Sequence, residues 1–381
     1  MKEGVHVSLP ETSRESIRKI RPYAQGKPIE EVQRELGLTD IVKLASNENP
    51  LGPSPRAVSA MGQAMLECHL YPDGANFRLK EKLAQALDVT AEQVVFGAGS
   101  STVLRLIAEA FLTPGDEVVY ADPSFIMYEI ITHLGGATPV VVPVDAQYRH
   151  DLPAMAAAVT PRTKVVFVCN PNNPTGTTVT KAEMDAFLAA VPPSVLVVLD
   201  EAYFEYAAGP GHIDGLDYVK AGRNVLVLRS FSKIFGLAGL RVGYGIGEPS
   251  VVAALRRVRE PFNVSIVAQA AALAAISDRD HVDRSRAVNT LGLQMLYAGV
   301  SRLGLPHIPS AANFFMVRVP GDDGAMFQAL MQQGVIVRPG RTFAMPGWLR
   351  VTVGTEEQNR RFLAALEKAL ADQAAAPGQA G

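Results

Sequence analysis

The sequence predicts an α/β protein whose larger domain is built around a mainly parallel sheet of seven strands. Short, continuously apolar runs recur through the middle of the chain, as expected of strands that are buried on both faces. Segments with helical periodicity separate many of these runs. The chain has 381 residues, which exceeds the usual size of a single core, so we expect a second, smaller domain.

Seven apolar runs supply the strands of the predicted sheet. Their apolar residues are continuous rather than alternating, a pattern typical of parallel strands covered by helices on both sides. The intervening helices are represented by SSTVLRLIAEAFL and TKAEMDAFLAAV. The predicted strands are QVVFG, DEVVYA, ATPVVVPV, TKVVFVCN, SVLVVLDEA, NVLVLRS and RVGYGIG.

The rest of the chain has a different pattern, which predicts a smaller α+β domain. One long helical segment is followed by the strand NFFMVRV, the helix AMFQALMQQG, the strands VIVRP and WLRVTVG, and a closing helix. The proline-rich N-terminal segment should pack across the lobes, and the Pro/Gly-rich end should be disordered. We assign residues 1–54 to the N-terminal segment, 55–265 to the large domain, 266–372 to the small domain and 373–381 to a disordered tail.

The composition is that of an ordinary soluble globular protein. A formal net charge of −2 argues against a large nucleic-acid-binding surface. The N-terminus lacks the apolar core of a signal peptide, and no apolar run is long enough to span a bilayer. Cys68 and Cys169 are too few for a disulfide framework and lack metal-ligand spacing. We therefore expect a cytoplasmic protein without a metal, nucleic-acid or membrane partner.

The segment VVFGAGSSTVL predicts a helix N-terminus that could bind a phosphate. Gly97 and Gly99 permit close backbone approach, and Ser100 and Ser101 offer hydroxyls beside the unpaired N–H groups of the first helical turn. The spacing is not that of a Walker A loop because no lysine follows the glycines, and the Rossmann spacing also fails. Simple helix capping explains this segment equally well when it is taken alone.

Two further polar groups lie at predicted strand ends, where open α/β sheets bind their ligands. Asp200 closes a strongly apolar strand and is followed by Tyr203, and burying its carboxylate is costly unless a cation meets it. A protonated ring nitrogen would be such a cation, and a structural salt bridge or a helix cap is the alternative. Asn173 precedes Pro174 in NPNNPTG, so a tight turn would hold its amide toward a phenolate oxygen; a plain turn is the alternative.

The segment RSFSKIFGLAGLR places Lys233 between a strand end and a glycine-containing loop. A lysine in a polar, partly desolvated pocket has a lowered pKa and becomes a nucleophile toward aldehydes. Ser230 and Ser232 flank it, and the guanidinium fork of Arg241 suits a phosphate. A solvated loop lysine is the alternative for Lys233 taken alone. Together with the phosphate cradle, the carboxylate and the phenolate donors, it completes the four attachment points of pyridoxal 5′-phosphate.

These motifs resemble those of the fold-type I pyridoxal-phosphate-dependent aminotransferases, and within them the histidinol-phosphate aminotransferases. The matching segments, which spread from residue 44 to residue 355, are LASNENPLGPSP, YPDG, NPNNPTG, DEAYFEY, SFSKIFGLAGLRVGY and LRVTVGT. The resemblance implies that Lys233 forms the Schiff base and carries the proton, while Asp200 keeps the pyridine nitrogen protonated. It further implies cofactor contacts from Gly99, Ser100, Ser101, Phe125, Asn173, Tyr203, Ser230, Ser232 and Arg241, with Phe125 stacking on the ring.

The resemblance also implies a homodimer with shared active sites and a subsite for the substrate. Tyr71, in YPDG, matches a residue that reaches the cofactor phosphate of the neighbouring subunit. Arg338 and Arg350 would bind the anionic end of the substrate. Tyr23 and Asn47 are the other implied substrate contacts.

The implied reaction transfers the amino group of L-histidinol phosphate to 2-oxoglutarate, giving imidazole-acetol phosphate and L-glutamate. An aminotransferase of phenylalanine or tyrosine is the nearest alternative, because it would place a planar ring in the same pocket and a carboxylate on Arg350. A threonine-phosphate decarboxylase would release carbon dioxide without a keto acid. A non-catalytic effector-binding module is disfavoured because no basic helix-turn-helix pattern precedes LASNENP. Arg341 fits either a third anion contact or a plain surface residue.

Overall fold

A computed structural model describes residues 9–20, 22, 26–207 and 211–375 of the chain. Its strands are β1 (Val42–Lys43), β2 (Val94–Gly97), β3 (Glu117–Asp122), β4 (Thr138–Pro143), β5 (Thr163–Cys169), β6 (Leu196–Asp200), β7 (Val225–Ser230), β8 (Gly243–Ile246), β9 (His307–Ile308), β10 (Phe314–Arg318), β11 (Val335–Ile336), β12 (Arg338–Pro339) and β13 (Trp348–Thr352). Its helices are α1 (Glu15–Arg18), α2 (Ile29–Leu36), α3 (Pro55–Ala64), α4 (Phe77–Leu87), α5 (Ser100–Phe111), α6 (Met127–Leu134), α7 (Leu152–Ala157), α8 (Lys181–Ala190), α9 (Phe204–Ala207), α10 (Gly215–Lys220), α11 (Pro249–Val258), α12 (Ile266–Ile276), α13 (Arg279–Arg302), α14 (Asp323–Gln332) and α15 (Glu356–Ala375). Short 3₁₀ turns cover Met65–Glu67, Ala91–Gln93, Ala238–Leu240 and Gly340–Phe343.

Within the described ranges, the largest sheet has seven strands in the order β2-β8-β7-β6-β5-β3-β4. The strands from β7 through β4 in this order pair in parallel, and β8 pairs antiparallel with both of its neighbours. Each of the seven apolar runs of the sequence supplies one of these strands. The predicted seven-stranded, mainly parallel sheet is therefore confirmed.

Both faces of the sheet are buried at its central strands, which explains why these strands are continuously apolar. In β5, Val166 and Val168 belong to one apolar cluster, and Val165 and Phe167 belong to another on the opposite face. The first cluster includes residues of α4, α8 and α12, and the second includes residues of α5, α6 and α11. Because neither face meets water, both alternating sets of side chains have to be apolar.

Several helices begin at capping residues that are visible in the sequence. Ser54 caps α3 by accepting the N–H of Ala57, and Pro55 occupies the first helical position. Thr180 and Glu183 form a reciprocal capping box at the start of α8. These local signals place helix starts directly after the polar turns that follow the strands.

The smaller lobe is built on a four-stranded sheet in the order β12-β13-β10-β9. Its core contains Leu296 from α13, Phe315 from β10 and Phe362 from α15. From the N-terminal segment, β1 pairs in parallel with β11. The predicted domain boundaries stay predictions. Helix α12 begins at Ile266, within the predicted small domain, but it packs against α3 and α4, which belong to the predicted large domain.

The two longest helices, α13 and α15, carry charged residues along their exposed faces. Among the residues described here, no helix is both long and apolar enough to cross a membrane. Helix α15 continues to Ala375, three residues into the segment predicted to be a disordered tail, and residues 376–381 lie outside the described part of the chain.

Candidate active site

A cleft of about 360 Å³ lies at the carboxyl ends of the central strands β5, β6 and β7. Parallel neighbours end at the same edge of a sheet, so the polar residues that follow each apolar run meet there. The volume lies in the range of small-molecule sites. Of the predicted site residues, the cleft is lined by Asn47, Ser100, Ser101, Phe125, Asn173, Asp200, Tyr203, Ser230, Ser232, Lys233, Arg241 and Arg350.

One end of the cleft is formed by the N-terminus of α5 together with Arg241. Helix α5 begins at Ser100, and Gly99 precedes it with φ +84°. A Cβ at Gly99 would overlap the guanidinium of Arg241, so glycine lets the arginine lie against the helix start. Arg241 Nη1 donates to Ser232 Oγ at 3.4 Å, and Ser230 Oγ accepts the Ser232 N–H at 3.0 Å. Helix N–H groups, hydroxyls and a guanidinium make this end suitable for a phosphate.

Lys233 projects into the middle of the cleft. Its Nζ donates to the backbone oxygen of Ser46 at 3.4 Å and lies 5.4 Å from the ring centroid of Tyr203. Burial, together with the positive charges of Arg350 and Arg241, lowers the pKa of Lys233 to about 8. A fraction of the amine is therefore unprotonated near neutral pH and can attack an aldehyde.

Asp200 ends β6 and is almost completely buried. Its Oδ2 accepts the hydroxyl of Tyr128 at 2.9 Å, and its Oδ1 accepts the N–H of Ala202 at 3.2 Å. Burial raises the pKa of Asp200 to about 6, against the two hydrogen bonds and the charge of Lys233, which lower it. The carboxylate is therefore mostly ionised at neutral pH and retains acceptor capacity for a cation in the cleft.

Two asparagines are oriented by their hydrogen bonds. Arg350 Nη1 donates to Asn173 Oδ1 at 2.6 Å, which leaves the amide nitrogen of Asn173 as the donor. Asn47 Nδ2 donates to the hydroxyl of Tyr203 at 2.9 Å, and Thr352 Oγ1 donates to Asn47 Oδ1 at 3.0 Å. These contacts tie the large domain to β13 of the small lobe across the cleft.

The three arginines weighed as anion contacts occupy different places in the small lobe. Arg350 in β13 and Arg338 in β12 are cross-strand neighbours, both buried, and their guanidinium carbons lie 4.6 Å and 5.3 Å from the ring centroid of Phe343. Arg350 lines the cleft, and Arg338 lies beside it. Arg341 instead pairs with Asp323 at 2.9 Å, which favours the surface alternative for this residue.

Tyr71 does not line this cleft. Tyr71 stacks on Phe262, with ring centroids 4.7 Å apart, and 82% of its surface is exposed. Tyr23 lies outside the described residues, so its predicted contact with the substrate stays a prediction.

The sequence interpretation missed two features behind the cleft. One is the hydroxyl of Tyr128 on Asp200, although this tyrosine is visible three residues after Phe125 in DPSFIMY. The other is a buried ion pair in which Arg229 Nε and Nη2 donate to Glu201 Oε2 at 2.9 Å and 2.7 Å. The sequence pattern that could have indicated this pair is that Glu201 directly follows Asp200, the last residue of β6, and Arg229 directly precedes Ser230, the last residue of β7.

Comparison with known proteins yields consistent matches. The family model of the class I and II aminotransferases matches residues 39–366. The histidinol-phosphate aminotransferase of Moorella thermoacetica is 54% identical over 94% of this chain and 93% of its own length. That of Symbiobacterium thermophilum is 50% identical over 94% of this chain and 99% of its own length.

Solved structures agree with this assignment. The histidinol-phosphate aminotransferase of Sinorhizobium meliloti, solved in complex with pyridoxal 5′-phosphate, is similar with a TM-score of 0.87 and 28% identity, over 96% of this chain and 99% of that one. A variant of Thermus thermophilus aspartate aminotransferase is similar with a TM-score of 0.82 and 26% identity, over 94% and 99%. The predicted fold-type I aminotransferase architecture is thus confirmed, and the chain belongs to the class I and II aminotransferases.

Proposed function

We propose that this chain transfers the amino group of L-histidinol phosphate to 2-oxoglutarate, using pyridoxal 5′-phosphate. The observation that carries the proposal is the cleft, which holds a lysine of lowered pKa between a buried carboxylate, a phosphate-compatible helix start and a buried arginine pair. The names of the curated relatives supply the substrate class.

The residues of the cleft fit the cofactor. Asp200 is a buried carboxylate that needs a cation, and a protonated ring nitrogen is one. Gly99 keeps room for Arg241 at the helix start where the phosphate would bind, with Ser230 and Ser232 beside it. The amide of Asn173 and the hydroxyl of Tyr203 would bind the phenolic oxygen, and Phe125 would lie against the ring. When bound, the cofactor supplies an aldehyde for the amino group and a ring that takes up the electrons of the substrate Cα–H bond.

Lys233 is the group that moves the proton. Its Nζ can accept a proton at neutral pH because burial lowers the pKa of the ammonium form to about 8. The backbone oxygen of Ser46 holds Nζ at 3.4 Å and keeps the side chain directed into the cleft. We infer that Nζ would take the proton from the substrate Cα and deliver it to C4′, the carbon that carries the aldehyde of the bound cofactor.

The anionic end of the substrate belongs at Arg350. This guanidinium lines the cleft, is fixed by Asn173 and the backbone oxygen of Ala45, and has Arg338 as its cross-strand neighbour. Two buried cations side by side favour a doubly charged phosphate over a singly charged carboxylate. The paired charges and the relatives therefore both favour histidinol phosphate over phenylalanine or tyrosine.

We also infer that two copies of the chain form a dimer. Tyr71 stacks on the exposed Phe262, and further exposed apolar side chains lie within six residues of it in the sequence. This surface would be covered by a second copy, whose cofactor phosphate Tyr71 would reach. Leu66 is 81% exposed, so Leu66→Glu should shift the sedimenting mass from two chains toward one. A wild-type mass of one chain would reject the dimer. The other exposed apolar residues of this surface are Met65, Leu70, Phe77 and Phe262.

The direct test is product formation. The protein loaded with pyridoxal phosphate is incubated with L-histidinol phosphate and 2-oxoglutarate, and L-glutamate is measured by mass spectrometry. We expect glutamate from the wild type and none above background from Lys233→Ala. Glutamate formation by the alanine variant at the wild-type rate would refute the role of Lys233, and its absence from the wild type would refute the reaction.

A further inference from the structure

Tyr128 is a fully buried residue of α6 whose ring is held from two sides. It stacks on Phe167 of β5 with centroids 4.6 Å apart and an interplanar angle of 4°. The ring of Phe125, at the cleft, meets it edge-on at 5.8 Å and 90°. Stacked and edge-on contacts of this kind restrict both the position and the tilt of the phenol.

The fixed ring aims its hydroxyl at the carboxylate on the cleft floor. Tyr128 Oη donates to Asp200 Oδ2 at 2.9 Å, while the N–H of Ala202 holds Oδ1 at 3.2 Å. One donor on each oxygen prevents the carboxylate from rotating. The phenol itself keeps its proton, because burial and the charge of Asp200 raise its pKa well above the usual value.

We propose that Tyr128 is a positioning residue for the cofactor, holding the Asp200 carboxylate ionised and oriented toward the ring nitrogen. The inference rests on the proposed function, since the ring nitrogen is that of pyridoxal phosphate. Burial favours the neutral acid, and a hydrogen bond to the ionised oxygen opposes it. Without the phenol, Asp200 would turn more readily and would bind a cationic ring less strongly.

The test is Tyr128→Phe, which keeps the stacked ring and removes only the hydroxyl. Tyr120→Phe is the matched control: Tyr120 is also buried, its ring centroid lies 6.4 Å from that of Tyr128, and the charges acting on its hydroxyl are Glu129 and Asp122. We expect Tyr128→Phe to raise the Kd for pyridoxal phosphate about tenfold to a hundredfold, the range for a hydrogen bond to a charged group. Tyr120→Phe should leave it within about twofold of the wild type.

A double-mutant cycle with Asp200→Asn separates positioning from general packing. If the phenol acts through the carboxylate, Tyr128→Phe should change the Kd less than about threefold in the Asp200→Asn background. An equal change in both backgrounds, or an unchanged Kd in Tyr128→Phe alone, would overturn the inference. Tyr128→Phe should also lower the unfolding temperature of the cofactor-free protein more than Tyr120→Phe does, because it removes a hydrogen bond to a buried carboxylate; equal unfolding temperatures would count against that bond.

The proposed function is tested separately, by the single-turnover reaction of the wild type loaded with pyridoxal phosphate and mixed with L-histidinol phosphate. If the wild type binds the cofactor but does not react, the proposal that L-histidinol phosphate is the substrate is refuted, while the Kd comparison still decides the role of Tyr128. A wild type that binds no pyridoxal phosphate would overturn both proposals.

Discussion

Replacing Gly99 by alanine tests whether the start of α5 and Arg241 form the phosphate end of the cleft. Gly99 has φ +84° and ψ 162°, a conformation essentially restricted to glycine, so an alanine there costs about 1–3 kcal/mol of strain. Its Cβ would also overlap the guanidinium of Arg241 and displace it. Losing that charged contact with the phosphate costs about 1.5–3 kcal/mol, or roughly ten- to a hundredfold in cofactor affinity.

Gly115 provides the matched control for the strain alone. It has φ +99°, is exposed, and an added Cβ would meet nothing within 4 Å. Both Gly99→Ala and Gly115→Ala should therefore lower the unfolding temperature, but only Gly99→Ala should raise the Kd for pyridoxal phosphate in equilibrium dialysis. A wild-type affinity for pyridoxal phosphate in Gly99→Ala, or an equal loss of affinity in Gly115→Ala, would refute the inference that the start of α5 and Arg241 bind the phosphate.

Charged residues in and around the cleft lead to three further predictions. Burial and neighbouring cations lower the pKa of Lys233 to about 8, so the unprotonated amine, and with it the rate of cofactor loading, should rise about tenfold between pH 7 and pH 9; an ordinary lysine would give a rise of about a hundredfold. Glu201→Gln removes one of the two carboxylates that Arg229 contacts and leaves only the partly exposed Asp214, so it should destabilise the fold by about 1–3 kcal/mol in thermal unfolding. The exposed control Glu356→Gln should cost about 0–1 kcal/mol, and similar losses in the two variants would contradict a structural role for the buried pair. Arg341→Ala should leave kcat/KM within about twofold of the wild type, because its partner is Asp323; a loss of two orders would place it in the anion site.

The sheet and the strand-end residues were predictable from the sequence. A strand buried on both faces has to be apolar throughout, and the first polar residue after it marks where the chain leaves the sheet. Asp200 and Lys233 follow such runs, and parallel pairing of β6 and β7 brings them to one edge. Their common location was thus predictable without knowledge of any contact.

Contacts across the strands were not predictable in the same way. The hydrogen bond from Tyr128 to Asp200 joins residues 72 positions apart, and the bond from Asn47 to Tyr203 joins residues 156 positions apart. Such pairs depend on register and helix rotation, which the local pattern does not contain. Arg341 shows the same limit, because the 3₁₀ turn Gly340–Phe343 between β12 and β13 directs it toward Asp323.

The most direct test of the proposed reaction compares kcat/KM of the protein loaded with pyridoxal phosphate for L-histidinol phosphate and for L-phenylalanine, each with 2-oxoglutarate. Arg350 at the cleft and Arg338 beside it on the neighbouring strand predict a preference of about two orders or more for histidinol phosphate, since a doubly charged phosphate gains more from two nearby positive charges than a carboxylate does. Equal values or a preference for phenylalanine would mean that the arginine pair binds a carboxylate, and would contradict the proposed function.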